Sequence, residues 1–116
     1  MSSQYDRMLL RRAACTGNLK MIKKLIDFKH IDADHGGIND MSLLQLAATN
    51  GHTHIVEFLC ANGADMEGSN DFFQSTALHL AAASGHTSVI SLLLDRGAHI
   101  DALNRDCETP LYVAIR

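Results

Sequence analysis

The chain has no tryptophan, a single proline and only 5% aromatic residues, which excludes a Pro-rich linker and argues against a lectin-like site built from aromatic faces. Long hydrophobic runs are lacking as well. The stretch "VISLLL" (89–94) is among the longest, far short of the ~20 apolar residues that a membrane span needs. The opening "MSSQYDRMLLRR" does not show the ordered regions of a secretory signal. The cysteines, Cys15, Cys60 and Cys107, are odd in number and fit no C-x-x-C spacing. No disulfide framework is expected, and reduced thiols in a soluble protein of the cytoplasm and/or nucleus are. Also missing are a Gly-rich phosphate loop, a Ser-His-Asp order, carboxylates paired at helical spacing and an EF-hand pattern, and "DHGG" (34–37) reads as a loop. Enzymatic function, a catalytic residue and a cofactor find no support in these patterns.

What is present is an ordinary globular composition, with 116 residues, 47% of them apolar and 20% charged. A chain of this length buries roughly two-thirds of its unfolded surface and forms one domain with a core. The net charge of −3 is unevenly placed. Residues 1–30 carry seven Lys/Arg against two acids, a net of +5, and residues 31–116 carry three against eleven, a net of −8. Such a split bears on association more than on fold.

The sequence repeats itself. The stretches "LLRRAACTGNLKMIKKLI" (9–26), "LLQLAATNGHTHIVEFLC" (43–60) and "ALHLAAASGHTSVISLLL" (77–94) align, with Ala pairs at 13–14, 47–48 and 81–82 and glycines at Gly17, Gly51 and Gly85, each step being 34 residues. A further copy opens at "TPLYVAIR" (109–116), Thr109 following Thr76 by 33. Each unit reads as two short helices. In the third, Thr76 is placed to cap the first helix, Leu78, Ala81 and Ala82 give it an apolar face, and Gly85 supplies the positive φ that ends it. Thr109-Pro110 repeats the start, with proline where a missing N–H costs least. The second helix carries Val89, Ile90, Leu93 and Leu94 as one buried stripe, matched by Ile55, Val56, Leu59 and Cys60 and by Met21, Ile22, Leu25 and Ile26. Helices this short are marginal alone, so stacking the units is what buries the stripe.

These residues resemble an ankyrin-repeat array, whose pattern runs roughly "TPLHxAAxxGHxxVVxxLLxxGAxxN". The resemblance covers about residues 5–116, and "TALHLAAASGHTSVISLLLDRGAHIDA" (76–102) is the nearest copy. It implies an all-α solenoid of stacked helix-turn-helix units with projecting hairpin-like finger loops and little true sheet. The whole chain is then one domain, with repeat 1 at about 5–37, repeat 2 at about 38–70, repeat 3 at about 71–103 and a partial repeat 4 at 104–116. The first unit departs most, with Met8, Arg11, Asn18 and Lys29 where the pattern has Thr, His, His and Gly. That fits an N-terminal cap whose outward apolar positions become polar.

With this register the chemically suggestive residues disperse. His52 and His54, two apart in "NGHTHIVEFL" (50–59), invite a metal reading, but zinc needs three or four convergent ligands and the register spreads them along a stack. His52 shares the turn position of His86 and Asn18, where the family has a histidine for structural reasons, and His54 falls at a solvated position. The resemblance implies that a histidine at the place of His79 bonds near the capping threonine and across to neighbouring loops. Cys60 reads as a small buried hydrophobe and Cys15 and Cys107 as partly exposed, leaving a redox-sensing thiol open. Lys20, Lys23 and Lys24, with Arg11 and Arg12, read either as a solvated cap face or as a nucleic-acid or phosphoinositide patch; without interleaved aromatics the nucleic-acid case is weak.

The resemblance implies a non-enzymatic module that binds a protein or peptide in a concave groove of finger tips and first helices. Transferred by register, the candidate contact residues are Ile38, Asn39 and Met41 at one tip, Phe72, Phe73 and Ser75 at the next, and Arg105, Asp106 and Glu108 at the last. Thr49, Asn50, Ala83 and Ser84 are the helix positions. Phe72 and Phe73, flanked by Asp71, Asp106 and Glu108, suggest a partner with an aliphatic anchor and nearby Lys or Arg, unless one phenyl folds back on a neighbouring finger. Two other classes compete: the opening piece of a longer array serving as spacer, tether or substrate-recruiting adaptor (for example of a ubiquitin ligase), and a metal-dependent enzyme. The place of Leu111, Ala114 and Ile115, with no second helix after them, adds the expectation of self-association through that end.

Overall fold

Short polar side chains set the helix starts. Ser42 precedes α3 (Leu43–Thr49), its Oγ accepting from Gln45 N at 3.1 Å while Gln45 Oε1 accepts from Ser42 N at 2.7 Å. Thr76 and His79 form the same reciprocal box ahead of α5 (Ala77–Ser84): Thr76 Oγ1 accepts from His79 N at 3.3 Å and His79 Nδ1 from Thr76 N at 3.2 Å. Each box satisfies two backbone donors that a helix start leaves orphaned. Thr109 caps α7 (Pro110–Ile115), its Oγ1 accepting from Tyr112 N at 3.2 Å.

The computed structural model describes residues 4–29, 41–68 and 73–115. Four further helices complete it: α1 (Gln4–Thr16), α2 (Leu19–Lys29), α4 (Thr53–Ala61) and α6 (Thr87–Asp95). Helices α1, α3, α5 and α7 lie side by side as one layer, and α2, α4 and α6 as the second. No strand occurs among the described residues, so the expected all-α solenoid is what forms.

The core runs between the layers. Leu10, Ile22, Leu43, Leu44, Ile55, Leu59 and Leu93 are fully enclosed, and the Ala pairs 13–14 and 47–48 let neighbouring helices approach. Each enclosed aliphatic side chain contributes about 1.5–3 kcal/mol relative to exposure.

Three expectations need correction. The second-helix stripe is not buried throughout: Cys60 is half-buried and Leu94 is 37% exposed, whereas Ile26 in the same column is buried. Leu94 lies on α6, on which no further helix of that layer packs among the described residues, whereas Cys60 stays half-buried although α6 packs beside α4. The first unit does not turn fully polar at its outer end, since Tyr5 and Met8 are 65% and 63% exposed. Arg11 is not part of a solvated face: it is half-buried and its Nη1 donates to Met41 O at 2.7 Å.

Candidate partner-binding surface

Two ladders of side-chain hydrogen bonds join the units and fix where their loops project. In the first, Arg11 Nη1 donates to Met41 O at 2.7 Å, Gln45 Nε2 to Ser75 O at 2.6 Å, and His79 Nε2 to Glu108 O at 2.7 Å. The three donors occupy one column and the three acceptors another, so unlike residues perform one task, tying a first helix to the loop of the next unit. A carbonyl can only accept, which makes Nε2 the protonated nitrogen of His79 and leaves Nδ1 free to accept from Thr76. In the second ladder His52 Nε2 donates to Cys15 O at 2.8 Å and His86 Nε2 to Thr49 O at 2.9 Å. The imidazoles lie on Gly17 and Gly51, where an added Cβ would come within 2.9 and 2.8 Å of ring atoms.

The finger spanning 97–109 is organised by Asn104. Its Oδ1 accepts from Asp106 N and Glu108 N, both at 3.0 Å, its Nδ2 donates to Glu108 Oε1 at 3.0 Å, and its main-chain N donates to Glu108 O at 3.1 Å. An asparagine turn of this kind lets a polar loop hold shape without a strand ladder. The tip is joined to the preceding one by Arg105 N donating to Phe73 O at 2.8 Å. On the far side, His99 N donates to Glu67 Oε2 at 3.0 Å.

The model for ankyrin repeats (3 copies) matches residues 44–116, and that for ankyrin repeats (many copies) matches residues 9–60. The chain belongs to the ankyrin-repeat family. No curated protein gives a significant match. Ankyrin repeats are in general protein–protein interaction modules, so the surface beside the ladders is where a partner is to be sought.

The ankyrin fingers and first helices distribute the expected contact residues unevenly. Phe73 is 58% exposed at its tip, Arg105 and Asp106 are exposed at the next, and Asn50, Ala83 and Ser84 are exposed on the helices. Others are turned to internal work. Ser75 is buried and its carbonyl is the acceptor of Gln45; Thr49 carries the carbonyl bonded by His86, and its Oγ1 is buried without a partner among the described residues. Glu108 and Met41 are half-buried, their carbonyls holding His79 and Arg11. Asn50 folds its Nδ2 onto Leu46 O at 2.8 Å. Ile38, Asn39 and Phe72 lie outside the described residues.

His52 and His54 do not converge. The first is a strut between units and the second is exposed, and no group of three or more metal-ligating side chains occurs among the described residues. No helix of the described residues is long and apolar enough to cross a membrane. Lys23 lies with its Nζ 5.7 Å from the centre of the Phe58 ring, a cation–π contact that occupies part of the basic face.

Burial pushes the Cys60 thiol up from its ordinary range, the nearby Arg96 charge opposing this in part. Cys15 and Cys107 are exposed. A thiol reagent at pH 8 therefore modifies Cys15 and Cys107 in the folded protein well before Cys60, as mass spectrometry of a timed alkylation will read. Because the fold disfavours the Cys60 thiolate, its contribution to stability is complete below the unfolded thiol pKa. It is lost as the pH rises through the higher folded value. Equal alkylation rates at all three cysteines would contradict the burial.

Proposed function

We propose that this ankyrin array binds an extended protein segment along its finger tips and first helices, centred on Phe73. The observation that carries the reading is a phenyl ring 58% exposed on a projecting turn whose main chain is fixed to the next finger. An exposed apolar group whose main chain is tied to a neighbouring finger is a costly arrangement for a lone molecule and a good anchor for a partner. Ala83 and Ser84 leave room beside the first helices, and the exposed Asp106 supports a segment bearing an aliphatic or aromatic anchor with a Lys or Arg near it. Recruitment of such a segment in the cytoplasm and/or nucleus fits three free thiols.

A phage-displayed peptide selection against the protein, replayed against Phe73→Ser, tests this. Enriched peptides should bind Phe73→Ser at least ten-fold more weakly, with the unfolding free energies of the two proteins within about 0.5 kcal/mol of each other, the ordinary range for a surface substitution. Peptides that bind both proteins equally would remove Phe73 from the site.

A further inference from the structure

An asparagine followed by glycine is open to attack by the main chain on its own side-chain amide, because the glycine nitrogen has no side chain beside it to hinder the approach. The sequence holds this pair at Asn50-Gly51 and Asn62-Gly63, the ends of the two helices of the second unit, and nowhere else. The first and third units have Thr16 and Ser84 at the first place, and Phe28 and Arg96 at the second. Asn50 and Asn62 are both exposed.

The fold holds each pair in an unreactive arrangement. Closing a five-membered ring needs the glycine nitrogen eclipsed with the asparagine Cβ, and at ψ 1° for Asn50 and 15° for Asn62 it lies close to the residue's own nitrogen instead. Gly51 N donates to Ala48 O at 3.3 Å and Gly63 N to Cys60 O at 3.2 Å, while the two Nδ2 groups donate to Leu46 O and Phe58 O, both at 2.8 Å. Each helix end must open before its asparagine reacts, so the rate follows the population of the open form. What has to open differs. The His86 imidazole covers Gly51, 2.8 Å from where a Cβ would stand, and its Nε2 donates to Thr49 O at 2.9 Å. At Gly63 nothing lies within 4 Å of that place.

We propose that Asn50 and Asn62 are self-modification sites of unequal access: Asn62 converts from fraying of its own helix end, and Asn50 only when the third unit lifts His86 from Gly51. In each, the glycine nitrogen forms a bond to the asparagine Cγ, the Cγ–Nδ2 bond breaks, and Nδ2 leaves as ammonia with the proton of the glycine amide. Water then opens the succinimide at either carbonyl, giving aspartate or isoaspartate. At residue 50 both products lose the donor to Leu46 O and place a negative charge at the negative end of α3. Isoaspartate also adds a methylene to the main chain between the carbonyl that His86 holds and the glycine that its ring covers. The joint between the second and third units is weakened for good, and residue 50 keeps a covalent record that it once opened.

The test incubates the full chain at pH 8, folded and in guanidinium chloride, and maps the products by mass spectrometry. Cleavage after Glu57 puts the two asparagines on separate peptides, and electron-transfer fragmentation tells aspartate from isoaspartate. In denaturant both sites should convert at similar rates, at least ten-fold faster than Asn18 and Asn104, which precede leucine and arginine. In the folded protein Asn62 should convert at least five-fold faster than Asn50. His86→Ala should raise the folded rate at Asn50 at least five-fold and change that at Asn62 less than two-fold. Equal rates at the two sites in the folded wild type, or a His86→Ala increase shared by both, would overturn the proposal. If His86→Ala does not fold, the wild-type order decides. Protein aged in denaturant and refolded should unfold at lower denaturant than fresh protein. Asn50→Thr should remove most of that difference, its hydroxyl replacing the amide as Thr16 Oγ1 does in donating to Arg12 O at 2.9 Å. Aged protein as stable as fresh protein would overturn the weakened joint.

Discussion

Replacing His79 by alanine lowers the unfolding free energy by about 3 kcal/mol, the sum expected when buried polar groups lose their partners and a side-chain volume is vacated. His79 is 1% exposed. Its Nδ1 accepts from Thr76 N at 3.2 Å and lies 2.8 Å from Thr76 Oγ1, while Nε2 donates to Glu108 O at 2.7 Å. Truncation strands a helix-start donor and a loop acceptor together. The informative comparison is His79→Gln, because Gln45 performs both tasks one unit earlier, accepting from Ser42 N and donating to Ser75 O. His79→Gln is expected to cost less than about 1 kcal/mol, and His79→Leu, which keeps volume without polarity, to cost about as much as alanine. Urea denaturation with an unchanged slope reads all three. Equal losses for glutamine and leucine would mean that the column acts through packing alone. The Glu108 carbonyl also holds the tip that carries Asp106, so His79→Ala should loosen the finger that presents this carboxylate.

The fold was legible because it is written three times. A single unit offers two short helices that could be read many ways, whereas a 34-residue step in the Ala pairs and glycines leaves one arrangement in which every stripe finds a cover. The ladder that ties helices to loops was not legible in the same way. Arg11, Gln45 and His79 differ in charge, length and shape, and identity-based alignment treats their column as variable. What they share is a donor of sufficient reach, which shows only once the acceptor carbonyls of Met41, Ser75 and Glu108 are in place. Sequence periodicity reports what is buried, and it is silent on which backbone groups the loops leave unsatisfied.

The same limit shaped the candidate site. Register transfer put Ser75 and Thr49 beside Phe73 and Ala83 on one surface, because homologous loop positions look alike in sequence. In space, Ser75 is drawn inward by the donor from Gln45 and the Thr49 hydroxyl is enclosed, while Phe73 is left outside. A loop residue's role depends on whether its own carbonyl is an anchor point for the preceding unit. Every second- and third-unit position that accepts from a ladder, Thr49 and Ser75 included, is accordingly a poor choice for partner contact.

Gly51→Ala is expected to destabilise the protein by about 3 kcal/mol and Gly85→Ala by about 1–2 kcal/mol, although the two glycines share a φ of +75°. The common part is the penalty of placing a Cβ in the left-handed region. The difference lies in what the Cβ meets. At Gly51 it would stand 2.8 Å from His86 Nδ1 and 2.9 Å from Cε1, so the imidazole must tilt, and its 2.9 Å bond to Thr49 O is strained or lost. At Gly85 nothing lies within 4 Å. A double-mutant cycle isolates this part: in a His86→Ala background Gly51→Ala should cost no more than Gly85→Ala, giving a coupling of about 1 kcal/mol between residues 51 and 86. If Gly51→Ala and Gly85→Ala cost the same in the wild-type background, the ring on Gly51 contributes nothing to stacking. If the coupling is found, the glycine that ends each first helix has two separable tasks, a backbone turn within its own unit and a seat for the next.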